Sequence, residues 1–196
     1  HVLCALQACG ALARQPRVRE RALAYLGRVQ RYDGSFASVW FREATAGTAS
    51  VLEALADCGL AATPMAERAR AHLLRAQNDD GGWAGLRGEA STAEETAWAV
   101  LALLRDPVDD ACARAVGRGV RWLTERQRPD GTWAEAPIGL YYSAMWYADS
   151  SYAVTLPLRA LARAQRAFPR ASEHGAQGEH RARDEHGAHS GADHAS

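Results

Sequence analysis

The densest chemical capacity lies between positions 141 and 152. There Tyr141, Tyr142, Trp146, Tyr147 and Tyr152 place five large aromatics in twelve residues of a chain that is 8% aromatic overall. Trp40 and Trp98 extend the set. An aromatic face attracts a cation by about 0.5–2 kcal/mol when well placed, and offers it no nucleophile. The same side chains also serve as core or interface filler with a polar tip, and both readings stand at this point. Acidic candidates are fewer. Thr92-Ala93-Glu94-Glu95 has the form of a capping box, with Thr92 as N-cap and Glu95 at the third helical position. A buried acid at Glu95 would alternatively position a cation or a water. Asp79-Asp80 falls in a turn, Asp109-Asp110 at a helix start, and Asp149 just ahead of another helix as its cap. Arg42 and Arg87 lie near helix starts, where an anion is also favoured, although solvated surface arginine is the plainer reading.

Metal and thiol chemistry find less support. Cys4, Cys9, Cys58 and Cys112 make no Cys-x-x-Cys pair, and three of them sit in Ala/Leu/Val helical patterns. They read as buried structural thiols of a reducing compartment, and no metal site is expected. The chain carries 23 Lys+Arg against 23 Asp+Glu, which gives no electrostatic reason to expect nucleic acid. No apolar run approaches the roughly 18 residues of a membrane span. His1-Val2-Leu3 is no secretory leader, so a cytoplasmic protein is expected. Residues 168–196 are rich in His, Arg and Glu without apolar periodicity, and hold His174, His180, His186, His189 and His194. This tail is expected to be disordered, with adventitious metal binding at most.

The candidates are positioned by a repeat. Gln30-Arg-Tyr-Asp33-Gly34-Ser-Phe36, Gln77-Asn-Asp-Asp80-Gly81-Gly-Trp83 and Gln127-Arg-Pro-Asp130-Gly131-Thr-Trp133 share the pattern Gln-x-x-Asp-Gly-x-aromatic. The residues leading into each turn also align: Arg21 with Arg68 and Arg118, and Tyr25 with His72 and Trp122. His72 therefore occupies an aromatic packing slot. Beyond each turn small residues recur three to four apart, as in Thr96-Ala97-Trp98-Ala99, the spacing of one helical face. Each unit is an Arg-rich outer helix, a turn and an inner helix with a small-residue face; Asp-Gly makes the turn tight, and such hairpins bury their faces only by stacking. Inner helices are expected at about 1–12, 45–57, 92–104 and 150–167, which with three outer helices makes about seven. His1-Val2-Leu3-Cys4-Ala5-Leu6 superimposes on Ser50-Val51-Leu52-Glu53-Ala54-Leu55, so position 1 is expected to fall inside an inner helix, with sequence missing upstream.

These turns resemble the QW motifs of the prenyltransferase/squalene-oxidase repeat superfamily. More narrowly, residues 1–167 resemble the C-terminal part of squalene-hopene cyclase-like class II terpene cyclases, on Arg118-Gly-Val-Arg-Trp-Leu-Thr-Glu-Arg-Gln127, Thr96-Ala97-Trp98-Ala99 and Leu156-Pro157-Leu158-Arg159-Ala160-Leu161. The resemblance implies an all-α protein, here an incomplete α/α-barrel over residues 1–167. It implies an enzyme that protonates a polyene and folds the resulting cation into fused rings. It places Trp40, Trp98, Tyr141, Tyr142, Trp146, Tyr147 and Tyr152, with Glu95, on the cavity wall. Its proton donor is the middle Asp of an Asp-x-Asp-Asp motif that this sequence does not contain, so the acid is expected upstream and the chain is expected to be inactive alone. Glu-Glu-Thr-Ala at Glu94–Ala97 is similar to bacterial diterpene class II cyclases, which leaves squalene and geranylgeranyl diphosphate both open. No cofactor is implied, Mg2+ entering only with a diphosphate substrate, where Arg42 and Arg87 would be its neighbours. The implied partners are the isoprenoid polyene, the missing N-terminal part, a membrane surface that supplies an insoluble substrate, and a second copy meeting exposed apolar faces. A non-catalytic helical-repeat binding module is the alternative from another class.

Overall fold

A computed structural model of the chain describes residues 2–105, 108–142 and 145–169. The histidine-rich stretch read as a disordered tail lies, from residue 170 onward, outside the described residues. The chain separates into residues 1–164 and residues 165–196, and the packing described here is that of the first unit.

The helices, in order, are α1 (Val2–Ala8), α2 (Ala11–Arg14), α3 (Pro16–Val29), α4 (Thr45–Asp57), α5 (Pro64–Ala76), α6 (Ala93–Leu103), α7 (Asp110–Glu125) and α8 (Ser150–Ala167). Local chemistry sets their starts. Pro16 and Pro64 stand at first helical positions, where the missing N–H costs nothing. Thr63, Thr92 and Asp109 are N-caps, accepting from the backbone N–H of Ala66, Glu95 and Cys112 respectively. The inner helix expected at about 1–12 is broken in two. Gly10 adopts a left-handed φ of 68° between α1 and α2, a conformation that glycine enters without a Cβ clash.

Helices α4 and α6 lie side by side, with α5 packed on α4 and α7 on α6. The small residues explain this layering. Helix α6 is buried almost all round, through Ala93–Ala97 and Ala99–Leu103, and α4 buries Ala46, Ala49, Leu52 and Leu55. Alanine faces let two helix axes approach until the remaining leucines and valines interdigitate. The outer helices bury one stripe each, Ala66, Ala69, Leu73 and Ala76 on α5 and Cys112, Ala115, Val116, Gly119 and Leu123 on α7; Arg70 of α5 is buried with them, donating to Ala61 O at 3.1 Å, while Arg68, Arg75, Arg114, Arg118 and Arg121 face outward. Gly119 is small by necessity, because a Cβ there would lie 2.8 Å from the Trp83 ring and from Val100.

The all-α reading holds apart from one feature. Gly139–Tyr141 (β1) and Met145–Tyr147 (β2) form an antiparallel hairpin, pairing Gly139 with Tyr147, Leu140 with Trp146 and Tyr141 with Met145. The aromatic run that reads as a loop thus carries the strand-favouring residue types, and the hairpin uses them. The cysteines also divide: all four are free and Cys112 is buried, but Cys4 and Cys58 are half-buried and Cys9 is exposed at the break after α1. Burial, helped by Asp109, pushes the Cys112 thiol up to about 11.

Candidate functional site

The three turns are built alike. In the first two, the Gln side chain donates to the turn glycine and to the following outer helix. Gln30 Nε2 donates to Gly34 O at 3.0 Å and Met65 O at 2.9 Å, and Gln77 Nε2 donates to Gly81 O at 2.8 Å and Ala115 O at 2.9 Å. The Gln oxygen accepts from an arginine of that same helix, Arg68 for Gln30 and Arg118 for Gln77. One turn further along a ring nitrogen meets the turn aspartate: His72 Nδ1 lies 3.3 Å from Asp33 Oδ2, and Trp122 Nε1 donates to Asp80 Oδ2 at 2.7 Å. The slot shared by His72 and Trp122 therefore sets a ring nitrogen beside the turn aspartate as well as packing a ring. The indoles of Trp83 and Trp133 reach back to their own outer helices, donating to Leu73 O and Leu123 O at 2.8 Å each. Phe36, with no N–H, fills the same place by packing alone. In the third turn Gln127 Nε2 donates to Gly131 O at 3.0 Å and stays exposed.

The segment after the first turn reaches across to the segment after the third. Leu140 N donates to Trp40 O at 2.9 Å and Arg42 N to Ile138 O at 2.8 Å, with Phe41 bridged to Gly139. Successive residues of such a strand point to opposite sides. That alternation leaves Trp40 57% exposed and turns Phe41 inward, where its ring centroid lies 4.6 Å from Trp98 and 5.7 Å from Tyr152. Trp98 of α6 and Tyr152 of α8 are themselves 6.3 Å apart. The candidate aromatics thus divide. Trp98 and Tyr152 meet in one half-buried cluster, with Phe41 as a member that the sequence reading passed over in favour of its neighbour Trp40. Tyr141, Tyr142, Trp146 and Tyr147 stand on the hairpin and remain between 37% and 80% exposed. Tyr141 and Tyr142 stack edge-on at 4.4 Å, and Tyr142 carries a positive φ of 50° at the hairpin's turn.

Beside this cluster lie two buried acids. Thr92 caps α6, accepting from Glu95 N at 3.1 Å, but its own N–H goes to Trp83 O, so Glu95 does not complete the reciprocal half of a capping box. The Glu95 carboxylate instead meets Arg42 Nη2 at 2.9 Å and accepts from the Thr92 hydroxyl at 2.9 Å. Burial holds the Glu95 carboxyl above its ordinary range, with Arg42 and the hydrogen bonds opposing. Glu94 is fully buried, accepts from Ala136 N at 3.1 Å through Oε1, and leaves Oε2 without a partner. Burial is also the chief cause of its raised pKa, with the charges of Glu95 and Glu135 adding to it and backbone hydrogen bonds resisting. Arg42 is accordingly no solvated surface arginine; its guanidinium is committed to Glu95 and lies 3.7 Å from Glu89. Arg87 is exposed, 3.5 Å from Asp79. Asp109 and Asp149 act as helix caps, Asp149 accepting from Ser151 N at 2.8 Å.

Stacked helical hairpins closed by these turns are the architecture of the α/α-barrel repeat proteins. The squalene-hopene cyclase C-terminal domain family matches residues 1–166, and the chain belongs to that family, the C-terminal part of the class II terpene cyclases. Drimenyl diphosphate synthase of Streptomyces showdoensis is 42% identical over 144 residues, which is 66% of this chain and 26% of that protein. Squalene–hopene cyclase of Zymomonas mobilis is 35% identical over 160 residues, 72% of this chain and 23% of the relative. Among solved structures, the type II terpene cyclase MstE from Scytonema superposes with a TM-score of 0.67 at 25% identity, over 85% of this chain and 56% of that one. A variant of that cyclase has been solved in complex with geranylgeranyl dihydroxybenzoate as substrate. The chain thus spans about a quarter of the length of the curated relatives it matches. Among the described residues, no helix is long and apolar enough to cross a membrane.

Proposed function

We propose that this chain supplies one wall of the cavity in which a linear isoprenoid polyene is protonated and cyclised, the acid coming from the preceding part of the same polypeptide. The observation that carries the reading is the Phe41–Trp98–Tyr152 cluster in a chain of this family. Protonation of a terminal double bond leaves a tertiary carbocation. Each following double bond gives its π pair to that centre, forming a carbon–carbon bond and moving the charge along, until loss of a proton ends the sequence. Aromatic faces at the cavity stabilise the moving charge without capturing it, and apolar walls keep out the water that would. Glu95 is held by Arg42 and Thr92, which suits it to shape the wall near the start of α6 rather than to donate the proton. The hairpin aromatics Tyr141, Tyr142, Trp146 and Tyr147 would join the wall only when covered by the preceding part. The division into a barrel portion at 1–167 and a separate tail belongs to the same proposal.

Two substrate classes fit. The 42% identity to a drimenyl diphosphate synthase favours an isoprenoid diphosphate; the family as a whole keeps squalene as the other reading, and with it contact with a membrane surface. The test joins this chain to its preceding part, supplies geranylgeranyl diphosphate and squalene separately, and analyses the products, a cyclic diphosphate from the first and a cyclic hydrocarbon from the second. Cyclised product from one of them is expected, and none from the chain alone. Turnover of neither by a folded joined protein overturns the proposal and returns the chain to a non-catalytic binding module.

A further inference from the structure

The second and third residues of α6, Glu94 and Glu95, hold the two segments that meet over the aromatic cluster. Glu95 Oε2 takes Arg42 Nη2 at 2.9 Å, and so fixes the segment that follows the first turn. Glu94 Oε1 accepts from Ala136 N at 3.1 Å, and so fixes the segment that follows the third. Beyond these grips the segments pair with one another, Arg42 N donating to Ile138 O and Leu140 N to Trp40 O. Phe41 lies between those two bonds, bridged to Gly139, and its ring meets Trp98 at 4.6 Å. Trp98 stands one helical turn on from Glu94, at the i, i+4 spacing of a shared face. A single turn of α6 therefore carries both grips and the surface on which Phe41 is laid.

Glu94 is a costly residue for this place. It is fully buried, and its Oε2 has no partner among the described residues; a carboxyl so held destabilises the fold relative to an apolar side chain of the same size. What the carboxyl supplies, and an apolar side chain cannot, is an acceptor for Ala136 N. We propose that Glu94 is a positioning residue of the cyclisation cavity: through Ala136 it fixes residues 136–140 against residues 40–42, and so seats Phe41 on Trp98. The consequence, which rests on the cyclase reading, is for how the cation ends. A cation at this wall either loses a proton from the adjacent carbon, whose C–H pair becomes the new double bond, or bonds a water oxygen that then gives up a proton. Phe41 seated on Trp98 keeps water from the wall and favours the alkene over the alcohol.

Glu94→Gln keeps an acceptor for Ala136 N, and Glu94→Met fills the same space without one. Both remove the charge, so the difference between them reads the hydrogen bond. In the full chain, a nuclear Overhauser contact between the Phe41 and Trp98 rings and slow exchange of the Ala136 amide are expected in the parent and in Glu94→Gln. Both are expected to be lost in Glu94→Met at unchanged helicity. In the joined protein, the alcohol-to-alkene ratio of cyclised product is expected to rise about 2- to 10-fold in Glu94→Met, as loss of one hydrogen bond allows. KM stays unmoved, and Glu94→Gln keeps the parent's ratio. A ring contact or a product ratio that is the same in Glu94→Met and Glu94→Gln overturns the proposal. So does a parent chain without the ring contact or the protected amide, a result that requires no variant to fold. A joined parent that gives no cyclic product overturns the cyclase reading and the positioning role with it, whether or not the ring contact follows Glu94.

Discussion

Arg42 Nη2 stands 2.9 Å from Glu95 Oε2, tying the segment after the first turn to the start of α6 across 53 residues of sequence. Glu95 is 1% exposed, so this guanidinium is what makes a charged carboxylate tolerable there. Removing one partner of such a pair leaves the other buried and uncompensated. Arg42→Met is expected to destabilise the fold by about 3 kcal/mol, and Arg42→Met/Glu95→Gln to recover most of the loss. Urea unfolding of the two variants checks the difference.

Glu94 has no such partner. Its folded pKa is raised by burial above the unfolded value, so the folded state holds the proton more tightly. Stability from this group is therefore fully present below the unfolded pKa and is lost as pH rises through the folded one. Glu94→Gln removes that dependence. The variant and the parent are expected to melt alike at acidic pH, and the variant to melt higher at neutral pH and above; a melting series across pH reads the sign.

The three turn glutamines should be unequal. Gln77 is buried with two donated bonds and one accepted, and Gln77→Ala is expected to cost about 2–3 kcal/mol. Gln30 makes the same bonds but is half-buried, so Gln30→Ala should cost about 1–2 kcal/mol. Gln127→Ala, measured in dilute protein, should cost less than about 0.5 kcal/mol, because its one bond is solvent-exposed. Chemical denaturation of the three single variants orders them.

Alanine at the turn glycines separates backbone strain from crowding. Gly34 has φ of 90° and Gly131 84°, so both substitutions carry the left-handed penalty of about 1 kcal/mol. At Gly34 the added Cβ also meets the Arg68 carbonyl, which raises the expected cost to about 3 kcal/mol or more. Equal melting of Gly34→Ala and Gly131→Ala would contradict the docking of α5 on the first turn.

The aromatic cluster predicts a kinetic effect in the joined enzyme. Trp98→Ala should lower turnover by about 2- to 30-fold, the equivalent of one cation–π contact of about 0.5–2 kcal/mol, and Trp98→Phe by less. Product analysis at saturating substrate reads this, and a loss of binding alone, with turnover intact, would assign Trp98 to packing.

The repeat was legible in the linear chain because its parts are local. Gln127, Asp130, Gly131 and Trp133 fall within one turn and its flanking residues, and the small-residue spacing of Thr96–Ala99 is set by the period of the helix itself. The site was legible only in part. Trp98 and Tyr152 read as candidates from their type, but Phe41 did not, because its inward turn depends on a bridge to Gly139, nearly a hundred residues later. A period-two reading of Trp40-Phe41-Arg42 could have offered the choice of face without deciding it.

By itself the amino-acid order determined the helices, their inner and outer roles, the turns and the family, since each rests on spacing within a few residues. Which aromatics face inward, which arginine is spent on a buried acid, and which turn glutamine is buried deepest were decided by the tertiary structure alone. Those outcomes depend on what distant segments bring to within hydrogen-bond or van der Waals distance, and no local spacing encodes that distance.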